Sequence, residues 1–180
     1  GLSFEDIVAR LDDEVKIVGI SNLFSFAYPV VQELCRQIRA FNSDIQIVLG
    51  GPHPSALYAE ILDEDRDLVD FVVLGEGENP FLYLCQKLVQ DNVLVQSNIG
   101  GDISNLAYLD ENGTCVMGTE KLVRNTKLNS DTIPFPSRHL LPMEEYIKAQ
   151  ESHGYSNGRW TSMISSRGCP YGCTFCASRK

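Results

Sequence analysis

The chain has 180 residues, 43% of them hydrophobic and 22% charged, with a formal net charge of −9 at pH 7. This is the composition of a globular protein able to bury one good core and a small annex. The excess of carboxylates disfavours a nucleic-acid backbone as main partner, since phosphates are held by Lys and Arg. No apolar run approaches the ~18 residues of a membrane span, and no charged-then-apolar leader opens the chain. Three of the six cysteines fall in one tight cluster, a usage that suits a reducing, cytoplasmic setting better than a disulfide framework. The chain opens at Gly1 rather than Met and stops four residues after Cys176, which reads as a piece of a longer protein.

Ser3 is placed to cap a first helix, with Asp6 three residues on in an imperfect capping box, and Ile7, Val8 and Leu11 form its apolar stripe. Residues 16–20 follow as a short buried strand that ends in the loop 21–28. Pro29 suits the first turn of the next helix, where its missing N–H leaves no bond unmade. Val31, Leu34, Cys35, Ile38 and Phe41 recur at helical spacing on the inner face of that helix. A second strand, 45–49, runs into Gly50, Gly51, Pro52, His53 and Pro54. A short helix carries Leu57, Ile61 and Leu62, and a third strand spans 70–74. Asn79 and Pro80 make an N-cap and first-turn pair for a helix to about Val89. Strands alternating with helices through short loops indicate βαβ units and a parallel, Rossmann-like α/β sheet. Ligands of such sheets bind beyond the carboxyl ends of the strands. The loops 21–28, 50–54 and 75–79 are therefore expected on one edge, lining a common crevice.

After Gln90 the pattern changes. Residues 105–110 and 114–117 flank Asn112-Gly113, a strong two-residue hairpin signal. Residues 118–142, with Pro134, Pro136 and Pro142, read as an extended connector. Residues 143–150 suit one or two helical turns, and 151–158 a polar, mobile stretch. Residues 160–165 look like a strand delivering the segment Arg167-Gly-Cys169-Pro-Tyr-Gly-Cys173-Thr-Phe-Cys176.

In that segment three cysteines stand at C-x3-C-x2-C spacing, with Gly168, Pro170 and Gly172 among them. Glycine and proline favour a tight, non-helical loop that turns the thiols toward one point. Converging thiolates suit an iron–sulfur cluster or zinc. Three ligands on a four-coordinate centre leave one position open, which indicates reactivity rather than scaffolding. Zinc sites more often use C-x2-C pairs with a fourth Cys or His downstream. A zinc-binding or disordered tail is the competing reading. The spacing resembles the cluster loop of the radical S-adenosylmethionine (radical SAM) enzymes. The resemblance implies that Cys169, Cys173 and Cys176 hold a 4Fe–4S cluster whose open iron is chelated by SAM, and that Phe175 lies near the adenine. It further implies cleavage of SAM to a 5′-deoxyadenosyl radical, and a barrel whose first strand is 160–165.

A second signature lies upstream. Ser21-x-Leu23 is followed, after 26 intervening residues, by Gly50-Gly51. This resembles the S-x-L…GG half of the cobalamin-binding fold, and implies that Ser21, Leu23, Gly50 and Gly51 line the slot for the nucleotide tail. A hydroxyl can bond the tail base, and absent side chains let the backbone approach closely. The other half, D-x-H-x-x-G, lies further upstream in that family than the twenty residues before Ser21 allow, so no lower-ligand histidine is assigned. The strings GGPHPS, DFVVLGEGE, NLAYLDENG, IPFPSRHLLP and the cysteine loop occur in the order seen in radical SAM proteins with an N-terminal cobalamin-binding domain. Within that family the chain is most similar to the anaerobic magnesium-protoporphyrin monomethyl ester oxidative cyclase group. A typical member would begin ~50–60 residues earlier and run on through the barrel, in keeping with ordinary domain sizes.

The expected layout is a cobalamin-binding-like α/β domain over 1–92, truncated at its N-terminus, then a β-hairpin and linker over 93–158, and the start of a radical SAM domain over 159–180. The function the resemblance implies is that of part of a cobalamin-dependent radical SAM oxidoreductase, the oxidative cyclase of magnesium-protoporphyrin IX monomethyl ester or a relative. A radical SAM C- or P-methyltransferase and an isolated cobalamin-binding module without activity are the alternatives. The implied cofactors are a 4Fe–4S cluster, SAM and cobalamin. The implied partners are a small-molecule substrate, a tetrapyrrole for a cyclase, and a reductant such as flavodoxin or ferredoxin. The 180 residues alone are expected to turn over no SAM, because the barrel that would bind it is absent.

Plainer roles compete at several positions. The string GEGE at 75–78 fails as a dinucleotide fingerprint, because Pro80 holds the third glycine position and two carboxylates repel a pyrophosphate. Gly75 and Glu76 are either ligand contacts on the sheet edge or a turn into a capped helix. His53, after a glycine pair at a strand's end, is a candidate cobalt ligand or a polar loop residue near the tail. His139 and His153 read as surface or packing residues. Cys35 and Cys85 read as small core residues. With Cys115 they are not placed to supply the second three-cysteine site that radical SAM methylthiotransferases carry. The acidic run 63–67 reads as a solvated helix end.

Overall fold

The computed structural model describes residues 2–91, 94, 99, 103–118, 134–149, 159, 161, 163, 164, 167 and 171–176. It divides into two compact units, Gly1–Arg124 and Asn125–Lys180.

The first unit is built on a five-stranded sheet whose strands lie side by side in chain order: β1 Ile17–Ser21, β2 Gln46–Gly50, β3 Phe71–Val73, β4 Leu106–Leu109 and β5 Cys115–Met117. β1, β2 and β3 run parallel, and β4 and β5 continue the sheet antiparallel. Its helices are α1 Phe4–Val8, α2 Tyr28–Phe41, α3 Pro52–Ala56, α4 Tyr58–Glu64 and α5 Glu78–Asp91. Side chains alternate across each strand, and both faces are covered. Ile47, Leu49, Val72, Leu74 and Ala107 meet Cys35 and Ile38 of α2 and Ile61 and Leu62 of α4. Val48, Phe71, Val73, Leu106 and Tyr108 meet Leu84 and Phe81 of α5, with Leu94 and Ile99 beside them. Burial on two sides is why β2 and β3 read as unbroken apolar runs rather than alternating ones.

Three details depart from the sequence expectation. The hairpin is not a separate feature: Val72 and Val73 pair with Ala107 and Leu106, so β4 covers what would be an open edge of β3. Its turn is a three-residue loop. Asp110 N–H donates to Thr114 O (2.9 Å), the Asp110 carboxylate collects the N–H groups of Asn112 and Thr114, and only Gly113 takes positive φ (74°). The aspartate organises the loop from its own side chain, which displaces the two-residue Asn-Gly turn. β1, expected to be buried, is only partly so, because among the described residues β2 is its sole strand neighbour and Gly19 and Ser21 are exposed.

Helix ends follow local chemistry. Ser3 and Asp6 complete a capping box, Asp6 N–H donating to Ser3 Oγ (3.1 Å) and Ser3 N–H to the Asp6 carboxylate (3.1 Å). α5 starts at Glu78, so Asn79 is inside the first turn rather than its cap, and Pro80 still sits where no helical N–H is needed. At the far end of α2, Arg39 donates to Ser43 O, Ile45 O, Leu68 O and Asp70 Oδ2, and Asp70 Oδ2 also takes Ile47 N–H (2.7 Å). This clamp fixes the amino ends of β2 and β3.

In the second unit a 3-10 turn, Arg138–Leu140, interrupts the expected extended connector, and α6 Met143–Ala149 follows. Arg159 forms a two-pronged ion pair with the Glu144 carboxylate, which holds that carboxyl below its ordinary range. Of the expected strand 160–165, Thr161, Met163 and Ile164 are described; they carry no strand pairing, and Met163 and Ile164 are exposed. The other positions of that segment lie outside the described residues, as do the stretch 151–158, His153 and connector residues 119–133. No helix among the described residues is long and apolar enough to cross a membrane.

Candidate functional site

The carboxyl ends of β1, β2 and β3 form one edge of the first unit. Ser21, the last residue of β1, is in register with Gly50, the last of β2, and Leu49 is in register with Val72 of β3. The segments that begin at Ser21, Gly50 and Gly75 therefore leave the sheet side by side.

The first two are pressed together by their backbones. Asn22 N–H donates to Gly50 O (2.8 Å), and His53 N–H to Asn22 O (3.4 Å). Gly51 has φ 99°, and a Cβ built on it would lie 2.6 Å from Asn22 O. Its missing side chain is a requirement of the fold itself. Gly50 differs: among the described residues a Cβ there would meet only Val73 O, at 3.9 Å, so none of them fills that space. Gly75 has φ 69°, and its N–H donates to Ser55 Oγ (3.0 Å), tying the third segment to α3. Glu76 beside it is half-buried.

Beneath the edge lies a polar cluster that the sequence did not reveal. Asn22 is 2% exposed; its Oδ1 accepts Phe24 N–H (3.2 Å), and its Nδ2 is buried without a hydrogen-bond partner among the described residues. His53, expected in a loop, stands in the first turn of α3 and is 7% exposed. Its Nδ1 is 2.9 Å from Ser25 Oγ, its ring packs at 4.7 Å on Tyr28, and its Nε2 is buried without a partner among the described residues. Tyr28 O–H donates to Asp65 Oδ2 (2.5 Å), and Gln32 Nε2 donates to both oxygens of the same carboxylate (3.0 and 2.8 Å). Burial, and then the Asp65 hydrogen bond, push the Tyr28 hydroxyl far above its ordinary range. Asp65 is 8% exposed, which corrects the reading of residues 63–67 as wholly solvated. Asp63 and Arg66 are exposed and pair with each other. Asp65 at the end of α4 instead turns its carboxylate to α2, where Tyr28 and Gln32 lie one helical turn apart.

Above the cluster the β1–α2 segment exposes Leu23, Phe24 and Phe26 (60%, 57% and 83%), the two phenylalanine rings stacked at 5.4 Å. Three large apolar side chains gathered in solvent mark a contact surface. No residue of 21–28, 50–56 or 75–79 is Lys or Arg, so the edge suits a large, mainly uncharged ligand with apolar faces rather than a polyphosphate. The chemistry of this donor set fits a corrinoid: an exposed hydroxyl at Ser21, an unfilled glycine at Gly50, buried polar groups with unused hydrogen bonds, and an apolar rim.

In the second unit, Cys173 is exposed and Cys176 half-buried, and Cys176 N–H donates to Cys173 O (3.2 Å), closing a turn between them. Phe175 is 91% exposed. Cys169, the remaining cysteine of the motif, lies outside the described residues. Among the described residues no three His, Cys, Asp or Glu side chains converge on one point. Cys35 is fully buried and desolvation pushes its thiol up to about 12; Cys85 and Cys115 are half-buried, and burial raises both. Cys35 and Cys115 border the core under α2 and α4, while Cys85 belongs to α5 on the opposite face. Cys35 and Cys115 therefore act as packing residues.

Comparison with known proteins gives the edge a context. Residues 2–84 match the family described as the B12 binding domain. An uncharacterized methyltransferase of Pyrococcus horikoshii is 31% identical over 98% of this chain and 35% of its own length. The cytidylyl-2-hydroxyethylphosphonate methyltransferase of Streptomyces wedmorensis is 29% identical over 99% of this chain and 36% of its own length. The anaerobic magnesium-protoporphyrin IX monomethyl ester cyclase of Rubrivivax gelatinosus is 29% identical over 91% of this chain and 27% of its own length. The chain thus spans about a third of the length of the curated relatives it matches. Residues 2–84 are similar to a B12 binding domain, and the chain over most of its length is similar to part of enzymes named for methyl transfer and for cyclisation.

Proposed function

We propose that this chain is the cobalamin-side part of a radical SAM enzyme, holding cobalamin on the carboxyl edge of β1–β3 and a 4Fe–4S cluster on Cys169, Cys173 and Cys176. The observation that carries the reading is the edge: Ser21 and Gly50 in register, with Gly50 unfilled, inside a segment that matches the B12 binding domain. The cysteine spacing, with Cys173 exposed and turned onto Cys176, supports the cluster. When bound, the cluster and SAM would supply hydrogen-atom abstraction at an unactivated carbon, and cobalamin a methyl group or a share in oxidation.

The residues of the chain would bind and shield. The Ser21 hydroxyl hydrogen-bonds the base of the nucleotide tail, and Gly50 lets the tail lie against the backbone. Leu23, Phe24 and Phe26, exposed beside the edge, would offer apolar surface to the corrin. Gly75 N–H is already held by Ser55, so the third segment, with Glu76, would flank the bound ligand without offering that N–H to it. Phe175, almost fully exposed, is available to stack on the adenine of SAM.

Relatives named as methyltransferases and as a magnesium-protoporphyrin IX monomethyl ester cyclase support two readings equally, methyl transfer and cyclisation. SAM labelled in its methyl group separates them in the protein that carries this chain, since only methyl transfer leaves the label in the product. The shared part is tested on the chain itself by anaerobic reconstitution with iron and sulfide. The expected result is the broad visible absorption of an iron–sulfur centre, lost in Cys173→Ala. Zinc retention with refusal of iron would overturn the cluster assignment and leave a cobalamin-binding module.

A further inference from the structure

Two buried polar atoms near the edge have no partner among the described residues, and they are complementary. Asn22 Oδ1 is identified by accepting Phe24 N–H, so the unpartnered atom, Nδ2, is a donor. For His53 the bond between Nδ1 and Ser25 Oγ can run either way, depending on the tautomer. In the tautomer protonated on Nδ1, that proton goes to Ser25 Oγ and the lone pair of Nε2 is left unused. The two residues belong to neighbouring segments whose backbones touch, His53 N–H donating to Asn22 O. A group that satisfies both must accept one hydrogen bond and donate another.

From these two unpartnered atoms on touching segments we infer that Asn22 and His53 form a joint receptor for a primary carboxamide of the ligand, its C=O accepting from Asn22 Nδ2–H and its N–H donating to His53 Nε2. This rests on the reading of the edge as a corrinoid site, because corrinoids carry primary carboxamides around the ring. Both atoms are sealed from solvent, so the carboxamide enters when residues 23–27 lift. That segment is held by the Phe24 N–H bond to Asn22, the bond between Ser25 Oγ and His53 Nδ1 (2.9 Å) and the Ala27 N–H bond to Phe24 O (3.0 Å), and it leaves Leu23, Phe24 and Phe26 mostly in water. Lifting it uncovers little apolar surface, which places it at the low-stability end of the structure.

The test has two readouts. Long-range 15N correlation spectra of the chain assign the His53 tautomer, with Nδ1–H expected; Nε2–H would overturn the receptor. Titration with cobinamide, which has the carboxamides but no nucleotide tail, and with cobyrinic acid, whose side chains are carboxylates, reads the contact. Asn22→Ser keeps an oxygen for Phe24 N–H, and His53→Phe keeps the ring against Tyr28. Each is expected to bind cobinamide about tenfold more weakly than the native chain, the loss of one buried hydrogen bond. The preference for cobinamide over cobyrinic acid should shrink by a similar factor, with unfolding midpoints showing both variants folded. Unchanged cobinamide binding and preference would mean that the two atoms are served by internal water, and would overturn the inference while leaving the corrinoid site intact. No corrinoid binding by the native chain would overturn both.

Discussion

At Gly51 the backbone needs both a positive φ and an empty Cβ position, and the atom in the way is a carbonyl oxygen that cannot rotate aside. Gly51→Ala is therefore expected to destabilise the first unit by about 1–3 kcal/mol in urea unfolding. Gly50→Ala meets no such obstacle, so it should leave stability within about 0.5 kcal/mol and act on cobalamin affinity alone. Titratable groups add a pH signature. Cys35 (pushed up to about 12) and Tyr28 both keep their protons in the folded state to higher pH than in the unfolded chain, mainly through desolvation. Above the ordinary thiol and phenol values the unfolded state binds fewer protons than the native one, so stability falls as pH rises. Unfolding midpoints should be level up to about pH 8 and decline above about pH 9. Tyr28→Phe should remove the part of the decline above about pH 10. A midpoint that rose through this range would contradict the burial of both groups.

Among the elements, α5 owes its close seat on the sheet to Gly19 of β1: a Cβ there would lie 2.9 Å from the Phe81 ring. Gly19→Ala should cost about 1–2 kcal/mol, the usual penalty for overpacking. In a Phe81→Leu background the cost should largely vanish, and a double-mutant cycle measures the coupling. Additive effects would mean that the ring does not rest on Gly19. The elements also show which features a sequence can carry. The three strand–helix repeats were legible because their apolar runs and helical spacing are local patterns. The pairing of β3 with the hairpin was not, because Val72 meets Ala107 far along the chain and nothing near either residue records it. Asp65 escaped for the same reason: its partners Tyr28 and Gln32 lie 37 and 33 residues upstream, and an acidic run reads as solvated until they are in place.

For the whole molecule, the positions of Ser21, Gly50 and Gly75 on one edge follow from parallel strands alone, which is why their placement was legible before the fold. The buried pair Asn22 and His53 and the rim of Leu23, Phe24 and Phe26 were not, since burial and exposure of loop side chains have no periodic signature. The cysteine loop is the reverse case, legible in its spacing and described in the structure only from Tyr171 to Cys176. The central claim is that the carboxyl edge of β1–β3 receives cobalamin, and a 1H–15N correlation spectrum of the labelled chain titrated with hydroxocobalamin tests it most directly. Saturable shifts confined to residues 21–26, 50–55 and 75–77 are the predicted result. No shifts, or shifts gathered at the opposite end of the sheet around Arg39 and Asp70, would contradict it.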